Sequence, residues 1–448
     1  MASTIQPRLF KGCRDALPED MIPRREMLEV MTRIFETFGF APVETPAIEF
    51  LDILLGKYGE EGDKLIYPLA YKGGRTLALR YDLTVPLSRL VAMHPELPRP
   101  FKRYQIQPVW RADRPQPAQG RYREFYQCDV DTVGSPSLMA DAENVAVCYR
   151  VYEALGLLDD EAGLVMRVNN RKLLRVLVTA AGLDADQDKT VCTALDKIDK
   201  IGREKVAAEL DEKGISADAT HRLFQLIAVS EENGGRPTAT LEALRATLEG
   251  VPGAGEALDE MAALFDGLAA LDVPGERLRF DLVLTRGLDY YTGPIYEFQL
   301  TGLASFGSLG GGGRYDDLLS IYGVGDIPAT GVSIGLSRVQ SALVKLGRLE
   351  SRKSPTRALV LHLEDVPQTT SLRLATRLRG EGIPTEVWFE PSRFKKQIQH
   401  AVKLGIPFVL IQGPDELERG VVQVKDVREG RQVEVMESDL ADHLRSAD

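Results

Sequence analysis

The sequence predicts a mixed α/β (α+β) protein: an antiparallel-sheet domain interrupted by a helical segment, then a small α/β domain. Three observations predict this. At 448 residues the chain exceeds one ordinary core, so several domains are expected. Residues 76–131 alternate in polarity as strands do, whereas 164–276 are rich in Ala, Leu and Glu at helical spacing. After residue 356, strand-like and helix-like stretches alternate, as in a mostly parallel sheet with crossover helices. The expected boundaries are 1–163 with 277–346 for the sheet domain, 164–276 for the insertion, 347–356 for a linker and 357–448 for the last domain.

Residues 18–38 read as the first helix. Met27, Val30, Met31, Ile34, Phe35 and Phe38 make one apolar stripe, and Gly39 follows where a C-cap belongs. Pro42 and Pro46 then confine residues 41–50 to an edge or an irregular extended run, a plausible subunit contact. Thr76–Thr84 and Tyr122–Asp131 alternate strongly, and the Pro- and Gly-bearing stretch 113–120 joins them as a loop. In the insertion, helical patterning centres on 173–181, 191–201, 220–227 and 241–248, with breaks at Gly234-Gly235 and Pro252-Gly253. Strand-like sequence resumes at 278–284 and runs to about residue 300, before a cluster of glycines, Gly310 to Gly313. In the tail, 358–363, 385–389, 407–411 and 421–427 read as strands, and 369–379 and 393–404 as helices.

Composition narrows the chemistry. No apolar run is long enough to span a bilayer and Met1–Leu9 lack a signal-peptide core, so a cytoplasmic protein is expected. The four cysteines are scattered without a C-x-x-C pair and the five histidines are dispersed, which disfavours a disulfide framework, a zinc site or a His-based triad. Net charge is −11, yet Arg99 to Arg123 holds seven basic residues against one acid, Asp113. Such a local field suits phosphate on an otherwise acidic protein.

Two runs carry polar chemistry inside strand-like sequence. In an extended chain Arg121, Arg123, Phe125, Gln127, Asp129 and Asp131 share one face, as do Arg80, Asp82 and Thr84, and as do Arg111 and Asp113. Arginines at one end and carboxylates at the other suit a ligand with phosphates and an ammonium group; a solvated, salt-bridged face is the plain alternative. The second run, Arg286-Gly287-Leu288-Asp289-Tyr290-Tyr291-Thr292-Gly293, places charge and hydroxyls where burial without partners is costly, so it reads as a pocket wall. Gly310–Gly313 permit close backbone approach but match neither a phosphate-binding P-loop nor a dinucleotide fingerprint.

These runs resemble the motifs of class II aminoacyl-tRNA synthetases, and within that class the chain is similar to histidyl-tRNA synthetases over nearly its full length. Phe38-Gly39-Phe40 through Pro46 resembles motif 1, Val109-Trp110-Arg111 through Gln127 motif 2, and Gly331 through Arg338 motif 3. Arg286–Gly293 and Gly312-Gly313-Arg314-Tyr315-Asp316 resemble the histidine signatures. Two departures stand out: Cys13 where Thr is usual, and Asp113 where many bacterial relatives have Glu. Gly120–Asp129 is nearer the eukaryotic-type pattern. Lys395-Lys396-Gln397 and the runs to Asp426 resemble the shared anticodon-binding domain.

The resemblance implies a class II catalytic sheet domain, a C-terminal anticodon-binding domain and a homodimer. It implies ATP as cosubstrate, Mg²⁺ held on the phosphates with no dedicated protein cage or metal ligands, L-histidine and the histidine tRNA as partners, and no membrane. Histidine would meet Asp82, Leu83, Thr84, Arg111, Gln127, Asp131, Arg286, Tyr290, Tyr291 and Tyr315. ATP would meet Arg111, Asp113, Arg121, Arg123, Phe125 and Arg338, with Arg111 and Arg286 carrying the catalytic charge stabilisation. A non-catalytic paralogue, such as a regulatory subunit of ATP phosphoribosyltransferase, is disfavoured because Arg111, Arg286, Arg338 and the tail are all present.

Overall fold

The computed structural model describes residues 5–58, 62–285, 290–390 and 392–446. The chain divides into two compact units, residues 1–14 with 29–348 and residues 15–28 with 349–448.

In the first unit, eight strands among the described residues form one sheet. Their spatial order is Ala41–Pro42, Phe101–Trp110, Glu124–Val133, Ala329–Gly335, Gly310–Arg314, Pro294–Leu300, Leu164–Asn170 and Leu278–Phe280. Pairing is antiparallel throughout except at the two outermost strands, which run parallel to their neighbours. Pro42 therefore sits on an edge, where its missing N–H breaks no interior ladder. The helix Leu138–Ala154 packs on the Glu124–Val133 and Ala329–Gly335 strands and is buried for most of its length. A second sheet orders Ile48–Phe50, Leu77–Leu79 and Tyr67–Leu69 antiparallel.

The first helix runs from Pro18 to Thr37 and buries Met27, Met31 and Phe35 of its apolar stripe. Gly39 takes φ +79°, and Phe40 N–H donates to Phe35 O at 3.1 Å, so a left-handed glycine closes the helix. Two sequence expectations change. Thr76–Thr84 is not one strand: only Leu77–Leu79 pair, and Thr84 opens a helix to Met93, so i, i+2 facing fails beyond Leu79. Leu164–Asn170, expected within the helical segment, is a sheet strand; its buried Leu164, Met166 and Val168 alternate with half-buried Val165 and Arg167. Helices then run from Arg171 to Ala270.

In the second unit, five strands among the described residues are ordered Thr385–Val387, Ala358–Val360, Phe408–Ile411, Val421–Asp426 and Gln432–Met436. The first three run parallel and the last two antiparallel, so the sheet is mixed rather than mostly parallel. The Gln432–Met436 strand escaped the sequence reading because its residues are mainly exposed and polar. Helices Gln368–Gly380 and Leu440–Ser446 bury Leu374, Leu378, Leu440 and Leu444 against Val360, Phe408 and Val422.

Candidate active site

The Glu124–Val133 strand lays down the floor of a cleft of about 380 Å³. Its alternation turns Phe125, Gln127, Asp129 and Asp131 into that cleft. The neighbouring strand pairs Ser333 with Asp129 and Gly331 with Asp131, and Gly310–Arg314 pairs beyond it as a strand rather than a loop. Close packing makes these positions glycine. A Cβ on Gly331 would stand 1.9 Å from Asp131 Oδ1, and one on Gly310 would stand 2.4 Å from the Ser333 carbonyl oxygen.

Cations gather at one end. Arg111 donates from Nε to Tyr81 O at 3.1 Å and from Nη2 to Gln127 Oε1 at 3.3 Å, with its guanidinium 4.3 Å above the Tyr81 ring and 5.2 Å from Phe125. Arg121 is aimed by Asp113, which accepts from its Nε at 3.0 Å. Arg338 enters from the start of the helix Leu336–Lys345 and donates to the Ser308 carbonyl. Burial, then the like charges of Arg121 and Arg111, lowers the Arg338 pKa. A guanidinium remains charged all the same, so an anion here would relieve mutual repulsion.

Carboxylates gather at the other end. Asp82 accepts from Tyr58 Oη at 3.0 Å and from Val85 N at 3.1 Å, while its Oδ2 is buried with no hydrogen-bond partner among the described residues. Asp131 pairs with the fully buried Arg103 at 2.7 Å and accepts from the Tyr315 hydroxyl. Asp129 accepts from Gln127 Nε2 at 3.3 Å. Burial raises the pKa of all three, and for Asp129 it reaches about 7, with Arg103 pulling it down and Asp131 pushing it up. Tyr290 closes the wall, its ring centroid 4.9 Å from Tyr291 and 5.9 Å from Tyr315. Burial also holds the Tyr290 and Tyr315 hydroxyls protonated.

The residues proposed from sequence largely converge. Asp82, Thr84, Arg111, Asp113, Arg121, Phe125, Gln127, Asp131, Tyr290, Tyr291, Tyr315 and Arg338 all line this cleft. Leu83 does not; it is fully buried, and its carbonyl accepts from Arg103 Nη2 at 3.4 Å. Arg123 turns away and holds Lys11 O and Asp113 O at 2.9 and 3.1 Å, so it ties down the N-terminal segment. Arg80 leaves its expected face as well, donating to Thr45 O at 2.6 Å and Pro108 O at 2.9 Å. Arg286 lies outside the described residues. Sequence reasoning left Asp129, Arg103, Tyr58 and Ser333 off the list of site residues. The alternation had already placed Asp129 between Gln127 and Asp131, whereas the burial of Arg103 beneath them has no signal in the sequence. Among the described residues, no group of three His, Cys, Asp or Glu side chains gathers as a metal would need.

A family model for histidyl-tRNA synthetase matches residues 12–339, and one for an anticodon binding domain matches residues 358–447. The histidine–tRNA ligase of Gloeobacter violaceus is 41% identical, covering 95% of this chain and 95% of its own. That of Rhodopirellula baltica is 41% identical, covering 94% and 93%. The crystal structure of histidyl-tRNA synthetase from Nostoc sp. PCC 7120 matches 99% of this chain and 100% of its own, with a TM-score of 0.86 at 33% identity. On its sequence and its fold alike, the chain belongs to the histidyl-tRNA synthetase family.

Proposed function

We propose that this chain ligates L-histidine to its cognate tRNA in two steps at the cleft. The histidine carboxylate attacks the α-phosphorus of ATP and expels pyrophosphate, giving histidyl-adenylate. A terminal hydroxyl of the tRNA then attacks the activated carbonyl and expels AMP. The observation that carries this reading is the polarity of one cleft: Arg111, Arg121 and Arg338 at one end, Asp82, Asp129 and Asp131 at the other.

In this reading the side chains divide the work. A carboxylate approaching a polyanion is repelled, and fixed guanidinium groups cancel that repulsion without reorganising during the reaction. Arg111 holds the α-phosphate, Arg121 the outer phosphates and Arg338 the adenine face opposite Phe125. Arg286, adjoining the cleft-lining tyrosines in sequence, spans the histidine carboxylate and the α-phosphate. The buried Oδ2 of Asp82, without a hydrogen-bond partner among the described residues, accepts from the histidine ammonium, with Thr84 and Gln127 also lining the cleft. Tyr290, Tyr291 and Tyr315, backed by Asp131, bind the imidazole. Arg123 acts on the site only through the loop it anchors. ATP brings Mg²⁺ on its phosphates.

The C-terminal unit reads the anticodon, and the exposed Ile48 and Phe50, which follow Pro42 and Pro46 in sequence, meet a second copy in a homodimer. No helix among the described residues is long and apolar enough to cross a membrane, and we place the reaction in the cytoplasm with its tRNA. The test is histidine-dependent ATP–pyrophosphate exchange, with phenylalanine and leucine as controls. A site built around hydrogen bonds to its substrate rejects analogues lacking them by a factor of about 10⁴ or more. Comparable exchange with either control overturns the histidine assignment, and absence of exchange with histidine favours a non-catalytic paralogue.

A further inference from the structure

The helical segment meets the sheet at a junction that holds more than its own first helix. That helix, Arg171–Ala180, starts directly after the Leu164–Asn170 strand, and Asn170 Oδ1 caps it by accepting from Lys172 N at 2.9 Å. The same junction grips both stems of the tyrosine-bearing stretch. On the upstream stem, Asn169 Nδ2 donates to Leu284 O at 2.9 Å and Arg171 Nη1 donates to Thr285 O at 3.4 Å. Thr285 in turn donates from Oγ1 to Cys192 O, on the helix Asp188–Leu195, at 3.1 Å. On the downstream stem, Arg171 N donates to Gly293 O at 2.9 Å. Asp188 backs this arrangement: its Oδ2 lies 3.8 Å from Arg171 Nη2, and its Oδ1 accepts from Cys192 Sγ at 3.1 Å.

Thr285 and Asn169 are buried, so their hydrogen bonds are not traded freely for water. One residue, Arg171, thus contacts both stems, through its side chain on one and its backbone on the other. Between those stems lie Tyr290 and Tyr291, which line the cleft. Arg286 follows Thr285 in sequence.

We propose that Arg171 is a positioning residue of the reaction: together with the Thr285–Cys192 hydrogen bond it fixes Thr285 and Gly293, which flank the cleft-lining Tyr290 and Tyr291 in sequence, and so sets where those two rings stand. The proposal rests on reading Arg286, Tyr290 and Tyr291 as substrate-binding groups. It makes the helical segment part of the amino-acid site, because Cys192 and Asp188 belong to it.

The experiment measures single-turnover adenylate formation and ATP binding on the full chain for Thr285→Val, Arg171→Met, Arg171→Lys and Arg286→Ala, with melting temperatures alongside. Thr285→Val keeps the volume and loses only the donor to Cys192 O. A displacement near 1 Å costs up to about 100-fold in rate, so Thr285→Val and Arg171→Met should slow adenylate formation by about 10- to 100-fold. ATP affinity should stay within about twofold, because uniform binding is untouched. Arg171→Lys keeps a charged donor and should recover most of the rate. A purely structural role would lower the melting temperature and the active fraction while the folded fraction reacts at the wild-type rate; that result overturns the proposal. Arg286→Ala separates the two layers. If it is slow while the Arg171 and Thr285 variants react normally, positioning is wrong and the reading of the stretch survives. If Arg286→Ala itself reacts normally, that reading falls and the positioning proposal falls with it.

Discussion

Gly331→Ala adds one methyl group at a tightly packed point of the cleft floor. The new Cβ would stand 1.9 Å from Asp131 Oδ1 and 3.1 Å from the Val130 carbonyl oxygen. Ordinary contact is about 3.5–4.0 Å, so the carboxylate has to retreat by roughly 1.6–2 Å. It cannot do so freely: Oδ1 accepts from the Tyr315 hydroxyl, and Oδ2 sits 2.7 Å from the buried Arg103. Losing a hydrogen bond to a charged group costs about 1.5–3 kcal/mol, and overpacking adds about 1–3 kcal/mol. The function should suffer more selectively. In the proposed reading Asp131 and Tyr315 contact histidine, whereas Arg111, Arg121 and Arg338 meet ATP. The kcat/KM for histidine in ATP–pyrophosphate exchange should fall by about 100-fold, with KM for ATP within about threefold. A double-mutant cycle tests the route. Once Asp131→Ala has removed the carboxylate, Gly331→Ala should add under about 0.5 kcal/mol. Full additivity, or a Gly331→Ala enzyme with normal histidine kinetics, would refute the reasoning.

Three further outcomes are expected. The folded-state pKa of Asp129, about 7, exceeds its unfolded value of about 3.9, so the native state binds the extra proton between these limits and stability falls as pH rises through that window; urea midpoints from pH 4 to pH 8 should show Asp129→Asn losing this part of the slope, gaining on the wild type between about pH 4 and pH 7 and levelling off above that. Tyr315→Phe removes the hydroxyl donor to Asp131 and should raise KM for histidine with little change in KM for ATP, whereas equal losses for both substrates would place Tyr315 in general packing. Phe389 is 63% exposed and follows Trp388, whose ring centroid lies 5.8 Å from Lys396 Nζ, an aromatic and a cation of the kind that suit stacked bases, so Phe389→Ala should weaken tRNA charging by about 1–3 kcal/mol and spare exchange; unchanged charging would remove Phe389 from the RNA contact.

Much of the site was legible because strand periodicity is a strong constraint. Four cleft-lining side chains on the Glu124–Val133 strand follow from i, i+2 spacing alone. The failures occur where that periodicity stops. Arg123 lies one residue before the strand begins, so its side chain is free to turn toward Lys11 and Asp113. Thr84 starts a helix, which breaks the face it was expected to share with Arg80. Basic composition was also a blunt guide. Of the seven cations between Arg99 and Arg123, Lys102 pairs with Glu143 at 2.8 Å and Arg103 with Asp131 at 2.7 Å, and only Arg111 and Arg121 line the cleft. Sequence counts charges; tertiary packing decides which of them a ligand can meet.

The buried charges carry the argument one step further. Asp129 and Asp131 face the buried cation Arg103, Asp82 faces Arg111, and burial raises the pKa of all three carboxylates. At the other end Arg338 is lowered by burial and by two neighbouring arginines. On its own side chains, each half of the cleft is therefore electrostatically unfavourable, and in opposite senses. An ammonium at the carboxylate end and phosphates at the arginine end relieve both at once, which neither substrate does alone. The stored repulsion also orients what enters: an amino acid bound backwards would set its carboxylate among Asp82, Asp129 and Asp131. Like charges at such range in a poorly solvated site are strongly disfavoured. Productive alignment of the reacting carboxylate toward the arginines thus follows from charge placement on a rigid sheet, before any group on the enzyme exchanges a proton or forms a bond.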